Sequence, residues 1–128
     1  MIEKYTKYFI MGIVFVAFLT GILTHSVESS QYKKLIQEAV LSNNISATKF
    51  LIEQGASVNS RYRYNHTLLH SAALYGDINM LKLLVQSGAK LNKNDFGLTA
   101  IDSARDNNHS EVVEFLVKYY DNLDRIYQ

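Results

Sequence analysis

The sequence contains neither cysteine nor proline. The lack of cysteine excludes disulfide bonds, thiol catalysis, zinc sites with sulfur ligands and a lipid on an N-terminal cysteine. The lack of proline is unusual, because proline is common in turns, so the turns of this chain depend on other residues. Motifs of known catalytic sites are also missing: there is no glycine-rich phosphate loop, no nucleophile elbow and no metalloprotease motif. We therefore expect a protein that is not an enzyme and that uses no cofactor.

The chain also has no large excess of charge of either sign. It carries 13 Lys or Arg and 12 Asp or Glu, a formal net charge of +1 over 128 residues. A strongly basic face for nucleic acid is therefore not expected. Hydrophobic residues make up 48% of the chain and charged residues 20%, which suits one folded domain.

One long segment is almost wholly apolar. No charged side chain lies between Lys7 and Glu28, an interval of 20 residues. As a helix this interval would be about 30 Å long, which matches the hydrocarbon core of a membrane. We therefore predict a membrane-spanning helix over residues 8–27, within an N-terminal segment of residues 1–28 that is either an anchor or a signal peptide.

The charges that flank this segment predict its orientation. Lys4 and Lys7 precede its apolar run of residues 8–24, whereas only His25 and Glu28 follow that run closely. By the positive-inside rule the N-terminus stays cytoplasmic and the rest of the chain is exported, in a bacterium to the periplasm. Two alternatives remain open: a signal peptide whose cleavage leaves a secreted or periplasmic protein, and a buried helix of a cytosolic protein.

Beyond this segment the sequence repeats itself with a period of 33 residues. Residues 50–59 read Phe-Leu-Ile-Glu-Gln-Gly-Ala-Ser-Val-Asn, and residues 83–92 read Leu-Leu-Val-Gln-Ser-Gly-Ala-Lys-Leu-Asn. A fixed period of this length is typical of solenoids, in which each unit buries its apolar face only against its neighbours. Such proteins present an extended surface, so binding is a more natural function than catalysis.

The middle unit indicates how one repeat is built. Thr67 is suited to cap the start of a helix, and Gly76 suits the left-handed position that ends it. A second helix follows from Ile78 and ends near Gly88. One repeat is therefore expected to contain two antiparallel helices followed by a polar, extended segment, which we call a finger.

These same residues carry a resemblance to a known family. Residues 67–76 read Thr-Leu-Leu-His-Ser-Ala-Ala-Leu-Tyr-Gly, which resembles the ankyrin repeat signature Thr-Pro-Leu-His-x-Ala-Ala-x-x-Gly. Residues 88–92, Gly-Ala-Lys-Leu-Asn, resemble the Gly-Ala-x-Val-Asn that closes such a repeat. In the third unit Asp102 takes the place of the usual histidine and Asn108 that of the usual glycine. The first unit lacks the opening signature.

The resemblance implies an all-α ankyrin-repeat solenoid of about three helix-turn-helix repeats, in a domain of residues 29–128. The repeats would cover about residues 32–60, 61–93 and 94–120, and residues 121–128 would form a C-terminal cap. Divergent first and last units are what a capped array requires. An array similar to tetratricopeptide repeats also fits the period, but it does not explain the Gly-Ala-x-Val-Asn endings.

The resemblance also implies where a partner binds, because ankyrin repeat proteins commonly bind proteins through the finger tips and the concave face of the first helices. The first finger alternates cations and aromatic rings from Arg61 to Tyr64, and both residue types are enriched at binding hot spots. Alternatively, the tyrosines only pack over the repeat edges and the arginines are solvated. The predicted partner-binding residues are Arg61, Tyr62, Arg63, Tyr64, Ser71, Leu74, Tyr75, Lys93, Asn94, Phe96, Asp106 and Asn107.

Two pairs of side chains have spacings that also occur in metal or catalytic sites. His66 and His70 are four residues apart, but no third ligand is near them in sequence. In ankyrin repeats a histidine at the position of His70 is usually structural. Asp102 and Asp106 would lie on one helical turn, where a helix cap or a solvated face is the simpler interpretation. We therefore predict neither a metal site nor a catalytic residue.

Together these features predict a small, bacterial-type ankyrin-repeat protein that is exported, tethered at the membrane and not catalytic. It would clamp a protein partner, with an immunity or protective role against that partner, and would bind neither nucleic acid nor a small-molecule substrate. The alternatives are a structural scaffold of an envelope complex, with self-association through Ala17 and Gly21, and a secreted ankyrin effector released by signal cleavage.

Overall fold

The computed structural model describes residues 24–126. Within this range the chain forms helices and no β-strand, which confirms the all-α prediction for the described residues. The helices form three pairs, each joined by a connection of two or three residues. Their bounds are α1 Thr24–Leu41, α2 Ile45–Glu53, α3 Leu68–Tyr75, α4 Ile78–Gln86, α5 Ala100–Asp106 and α6 Ser110–Ile126.

Threonine side chains start the first helix of the second and third pairs. At α3, Thr67 Oγ1 accepts a hydrogen bond from the His70 backbone N–H at 3.4 Å. At α5, Thr99 Oγ1 accepts one from the Asp102 backbone N–H, also at 3.4 Å. In both cases the third helical residue returns a bond to the backbone N–H of the threonine, which completes a capping box. The sequence therefore fixes both helix starts locally, as predicted for Thr67.

Left-handed residues end the first helices. Gly76 follows α3 with φ 73°, a conformation that glycine adopts without steric penalty. In the third pair Asn108 stands at the matching place with φ 61°. Asparagine is among the few other residues that enter this region readily. The substitution seen in the sequence therefore preserves the turn between α5 and α6.

Small residues let the first helices of neighbouring repeats approach closely. Ala72, Ala73 and Ala104 are fully buried, and α3 packs against α5 through this alanine-rich face. Large side chains come mainly from the second helices, and Leu84 of α4 and Leu116 of α6 are also fully buried. Burial of one such leucine stabilises the fold by about 1.5–3 kcal/mol. The core is thus a continuous layer between stacked pairs.

Polar side chains also join one repeat to the next. The Asn59 amide, at the end of the first repeat, donates to the Gly88 carbonyl at 2.9 Å and accepts from the Lys90 N–H at 2.8 Å. His109, before α6, contacts the Leu74 carbonyl through Nε2 at 3.0 Å. These bonds fix the stacking register at both edges of the middle repeat.

The last helix continues through much of the predicted C-terminal cap. Residues 121–126 are the final turns of α6, which is 17 residues long. Two tyrosines tie α6 back to the preceding repeat: Tyr119 Oη donates to the Val85 carbonyl at 3.0 Å, and Tyr120 Oη donates to the Ala89 carbonyl at 2.6 Å. Burial raises the pKa of Tyr120 to about 12.

The predicted membrane-spanning segment lies almost wholly outside the described residues. Only residues 24–27 of that segment are described, and they form the start of α1. The spacing of Ala17 and Gly21 also falls outside. Across residues 24–126, no helix combines the length and the apolarity needed to cross a membrane. The compact unit that contains the repeats begins at Lys33.

Candidate partner-binding surface

The first finger, residues 60–66, is bent into a tight turn. The Tyr62 N–H donates to the His66 carbonyl at 2.8 Å, and a short 3-10 turn spans Arg63–Asn65. Tyr64 and Asn65 inside this turn have φ values of 58° and 55°. Asparagine tolerates this left-handed region, but for tyrosine it costs about 1–2 kcal/mol. Contacts elsewhere must therefore hold Tyr64 in place.

The second finger, residues 93–98, is organised by Asn94. The Asn94 N–H donates to the Leu98 carbonyl at 2.9 Å, and Asn94 Oδ1 accepts from the N–H groups of Phe96 and Leu98, each at 3.0 Å. The side chain is buried, its oxygen is occupied by the finger itself, and its Nδ2 faces Nδ1 of His66 in the first finger at 3.5 Å. Asn94 therefore shapes the turn that presents Phe96, whereas Phe96 and Lys93 are exposed.

The two finger tips are joined to each other. The Asp95 N–H donates to the Tyr64 carbonyl at 3.0 Å, and the Asn65 side-chain amide donates to Asp95 Oδ1 at 2.6 Å. Above these bonds the rings of Tyr64 and Phe96 meet with centroids 5.4 Å apart. Tyr64 is 48% exposed and Phe96 is 65% exposed. An apolar, aromatic pair is thus held at the tips and open to solvent.

The two fingers also carry three exposed cations, namely Arg61, Arg63 and Lys93. The Arg63 guanidinium carbon lies 4.8 Å from the centroid of the Tyr64 ring, within the range of a cation–π contact. Among the described residues, the one salt bridge shorter than 4 Å joins Arg105 to Asp102. The three cations of the fingers therefore have no carboxylate partner within that distance in the described part of the chain.

Tyr62 differs from Tyr64 in its surroundings. Its hydroxyl donates to the Lys33 carbonyl of α1 at 2.8 Å, and the Lys33 ammonium lies 5.3 Å from the centroid of its ring. Burial raises the pKa of Tyr62 to about 12, an effect that a hydrogen bond with Ser60 partly opposes. Tyr62 therefore packs the first finger onto α1, which is the structural alternative considered for both tyrosines, while Tyr64 remains exposed.

His70 joins the second and third repeats. Nδ1 faces both the backbone N–H and the hydroxyl of Thr67, at 3.2 and 2.8 Å, and Nε2 lies 2.9 Å from the Leu98 carbonyl. These partners assign the tautomer: Nδ1 accepts, and Nε2–H donates to Leu98. The ring is buried, and its centroid lies 4.8 Å from that of His66. This geometry agrees with the structural role that the resemblance implies.

The predicted residues of the concave face lie at the other end of α3. Leu74 is 39% exposed and Tyr75 is 58% exposed, and both occupy the last turn of the helix. An α-helix of eight residues is about 12 Å long, so these side chains lie roughly that far along the helix from the fingers. Ser71, between them, is partly exposed. The surface thus has two exposed aromatic or aliphatic centres, at the tips and at the end of α3.

The polar residues after α5 are exposed as well, but one of them also closes the helix. Asp106 and Asn107 are both accessible to solvent. The Asn107 side-chain amide donates to the Ser103 carbonyl at 2.8 Å, which satisfies a carbonyl at the helix end. Asn107 therefore combines a structural bond with its predicted place on the concave face.

Asp102 acts as a helix cap. Its Oδ2 accepts from the N–H and the hydroxyl of Thr99, each at 2.8 Å, and Arg105 contacts Oδ1 at 3.1 Å. The hydrogen bonds from Thr99 hold the pKa of this carboxyl below its usual value, and Arg105 lowers it further. Among the described residues, no three His, Asp or Glu side chains converge on a point that could hold a metal ion.

Sequence reasoning missed the residues that support the tip. Asn65 and Asp95 lie in the two fingers, and the sequence alone assigns them no role. In the structure the bond between their side chains joins the two fingers. Leu98 was also omitted, although it is 39% exposed beside the second tip. A sequence signal existed for the first pair, because two short polar residues about one repeat apart suit a bond between neighbouring turns.

Comparison with known proteins relates this fold to a family. A family model described as ankyrin repeats in three copies matches residues 30–126. No curated protein matches the chain. The matched residues cover more than half of the sequence and run from within α1 to the end of α6, with both fingers. The chain belongs to the ankyrin repeat family.

Proposed function

We propose that this protein is a non-catalytic binding module that holds one protein partner with its finger tips and concave face. Ankyrin repeats are modules of protein–protein interaction, which supports the class of partner. The surface available for that interaction includes the exposed tip residues Tyr64 and Phe96 and the exposed end of α3 at Leu74 and Tyr75.

The observation that carries this proposal is the aromatic pair at the tips. Tyr64 is 48% exposed, so its burial stabilises the fold only in part, and its left-handed backbone is unfavourable by about 1–2 kcal/mol. The bonds that hold Tyr64 against Phe96 belong to exposed polar groups of Asn65 and Asp95. A pre-arranged apolar patch gives binding energy with little ordering cost, because its side chains are already in place.

The location of this module is also a proposal. The charge-free interval of residues 8–27, with Lys4 and Lys7 before it, supports an uncleaved anchor that leaves the repeats in the periplasm. A small, tethered binder suits an immunity or protective role, in which the concave face covers a surface of an exported partner. A scaffold of an envelope complex and a secreted effector are the alternative functions.

Removal of the two tip rings tests the binding surface. The full chain with Tyr64→Ser and Phe96→Ser is expected to lose its partner, because buried aromatic anchors contribute about 2 kcal/mol or more each. Affinity capture from membranes, with mass spectrometry of the retained proteins, measures this loss. Circular dichroism of the same variant checks that the helical content is unchanged.

The matched control removes two exposed apolar side chains that do not belong to the fingers. Leu35→Ser with Phe50→Ser changes residues that are 49% and 58% exposed on α1 and α2. This control is expected to retain the partner. Capture that survives the tip variant, or that fails equally in the control, would show that the fingers are not the binding surface.

A further inference from the structure

We infer that the partner presents an acidic segment with an exposed aromatic or aliphatic side chain to the finger tips. This inference rests on the proposed function, because it names the chemistry of the partner at that same surface. The apolar side chain would contact the rings of Tyr64 and Phe96, and the flanking carboxylates would meet the exposed cations of the fingers.

The fingers are basic although the whole chain is not. They carry Arg61, Arg63 and Lys93 against a single carboxylate, Asp95, whereas the net charge of the chain is +1. One oxygen of Asp95 already accepts the bond from Asn65. The cations are exposed and have no carboxylate within 4 Å in the described residues. Such a local excess favours a partner of opposite charge.

Two charged groups close to the fingers bear on this local excess of positive charge. The ammonium of Lys33 lies beside the first finger, 5.3 Å from the ring centroid of Tyr62. Asp102 is the carboxylate that Lys93 influences, but Thr99 and Arg105 already occupy both of its oxygens. The Asp102 carboxylate is therefore engaged at the start of α5 rather than with the second finger.

Arg63 is placed to bind both parts of such a segment. Its guanidinium stacks over Tyr64 at 4.8 Å, beside the ring pair. A guanidinium held over an aromatic ring keeps N–H donors at its edge, and these donors match the two oxygens of a carboxylate. A partner carboxylate next to an apolar residue would therefore meet Arg63 and the rings together.

The geometry of the rings favours a protein over single-stranded nucleic acid. Stacking of bases needs an accessible ring face, and the cation-rich groove must follow several phosphates. Here the two rings contact each other with their planes 50° apart, and Arg63 lies over Tyr64. The compact patch thus suits one inserted side chain and its neighbours.

A displayed library of random twelve-residue peptides tests this inference on the full chain in detergent micelles. Selected peptides are expected to be rich in Asp and Glu around an aromatic or aliphatic residue. The variant Arg61→Gln, Arg63→Gln, Lys93→Gln should bind these peptides about tenfold more weakly, because each exposed ion pair contributes a modest amount. Higher salt should weaken binding to the original chain and have little effect on this variant.

The charge-matched control is Lys49→Gln, Lys118→Gln, Arg125→Gln, which removes three exposed cations outside the fingers. It is expected to bind the selected peptides like the original chain. Selected peptides without acidic enrichment, or equal losses in both variants, would overturn the acidic partner. An oligothymidylate that binds the original chain more tightly than the selected peptides would also overturn it.

The variant that lacks the two rings distinguishes a failure of the acidic-partner inference from a failure of the proposed function. If the peptides lack acidic residues but are lost with Tyr64→Ser and Phe96→Ser, the acidic partner is wrong and the binding surface stands. If that ring variant binds the selected peptides unchanged, or if no peptide is enriched, both proposals fail at this surface.

Discussion

His70 and Asp102 occupy equivalent positions but form different bonds. Both return a hydrogen bond to the backbone of the capping threonine, so either residue completes the start of the helix. Only the histidine is long enough to reach the next finger, where it contacts Leu98. Asp102 belongs to the last repeat of the matched array, so its shorter side chain provides the cap without such a link.

The burial of His70 predicts a dependence of stability on pH. Burial is the main cause that lowers the pKa of His70 below 6.5, and the positive charges of His66 and Arg61 lower it further. The hydrogen bond with the Leu98 carbonyl and the negative charge of Asp102 act in the opposite direction and raise this pKa. The unfolded chain therefore binds this proton at a higher pH than the folded chain. The contribution of His70 to the free energy of unfolding is therefore fully present above pH 6.5 and declines as the pH falls below that value.

Urea unfolding in detergent micelles between pH 8 and pH 5 measures this effect. His70→Asn is expected to be less stable at pH 8 by about 1–3 kcal/mol, because a buried hydrogen bond is lost. Its stability should also fall less than that of the original chain between pH 6.5 and pH 5. An unchanged slope in His70→Asn would contradict the role assigned to this ring.

Local spacing in the sequence made the role of His70 predictable, but it did not predict the contact between Tyr64 and Phe96. The capping box joins residues three apart, so its pattern is visible in the sequence. Tyr64 and Phe96 belong to different repeats whose fingers differ by one residue. Counted forward from the preceding repeat end, Tyr64 aligns with Gly97; counted back from the following cap, it aligns with Phe96. Both tips contain left-handed residues, so the backbone does not decide between these registers; the contact between the Tyr64 and Phe96 rings does.

At the scale of the helix, the end of α3 depends on one glycine for two reasons. Gly76 has φ 73°, and a Cβ at this position would lie 2.6 Å from Nδ1 of His109. Gly88, at the end of α4, has φ 90°, but a Cβ there would meet no atom within 4 Å. An alanine at Gly88 would therefore meet only backbone strain, whereas an alanine at Gly76 would meet backbone strain and a steric clash with His109.

Alanine at each glycine is expected to give different losses. Gly88→Ala should destabilise the fold by about 1–2 kcal/mol through the left-handed backbone alone. Gly76→Ala should cost about 1–2 kcal/mol more, because His109 must move and lose its bond to the Leu74 carbonyl. Thermal or urea unfolding measures the difference. Addition of His109→Ala should reduce the penalty of Gly76→Ala, and equal losses at both glycines would refute the steric contribution.

The helix bounds were predictable where caps and glycines mark them, and less so at both ends of the array. Thr67 and Gly76 bracket α3 as the pattern predicts. The stretch from Thr24 to Leu41 and the stretch from Ser110 to Ile126 contain no glycine or proline, so nothing in them stops a helix. The side chains of Tyr119 and Tyr120 then hold α6 by bonds to carbonyls about 31–34 residues away, a distance at which the sequence gives no spacing rule.

At the scale of the whole molecule, the third repeat carries a groove along one face of α6. The groove has a volume of about 860 Å³, and most of its lining residues are charged or polar, including Arg105, Glu114, Lys118 and Asp121. Polar outer faces of this kind keep the terminal units of repeat arrays soluble. The tyrosine bonds of α6 hold this unit onto the preceding repeat.

The proposed tether makes a prediction for the full chain in a bacterial cell. Alkaline phosphatase, which is active only after export, is fused after Gln128. We expect an active, membrane-bound fusion that retains its N-terminal residues, because under the proposed orientation Lys4 and Lys7 would keep the start of the chain in the cytoplasm. Lys4→Glu with Lys7→Glu should lower the phosphatase activity severalfold, since the charge difference across the segment is removed.

Lys33→Glu with Lys34→Glu is the matched control, because it makes the same charge change on the far side of residues 8–27. It should leave export intact, since positive charge is disfavoured on that side and its loss strengthens the same orientation. A soluble, active fusion whose N-terminus begins near residue 27 or 30 would replace the anchor with a cleaved signal peptide. An inactive fusion in the cytoplasm would instead require the acidic partner of the fingers to be sought there, because the binding surface itself does not depend on the compartment.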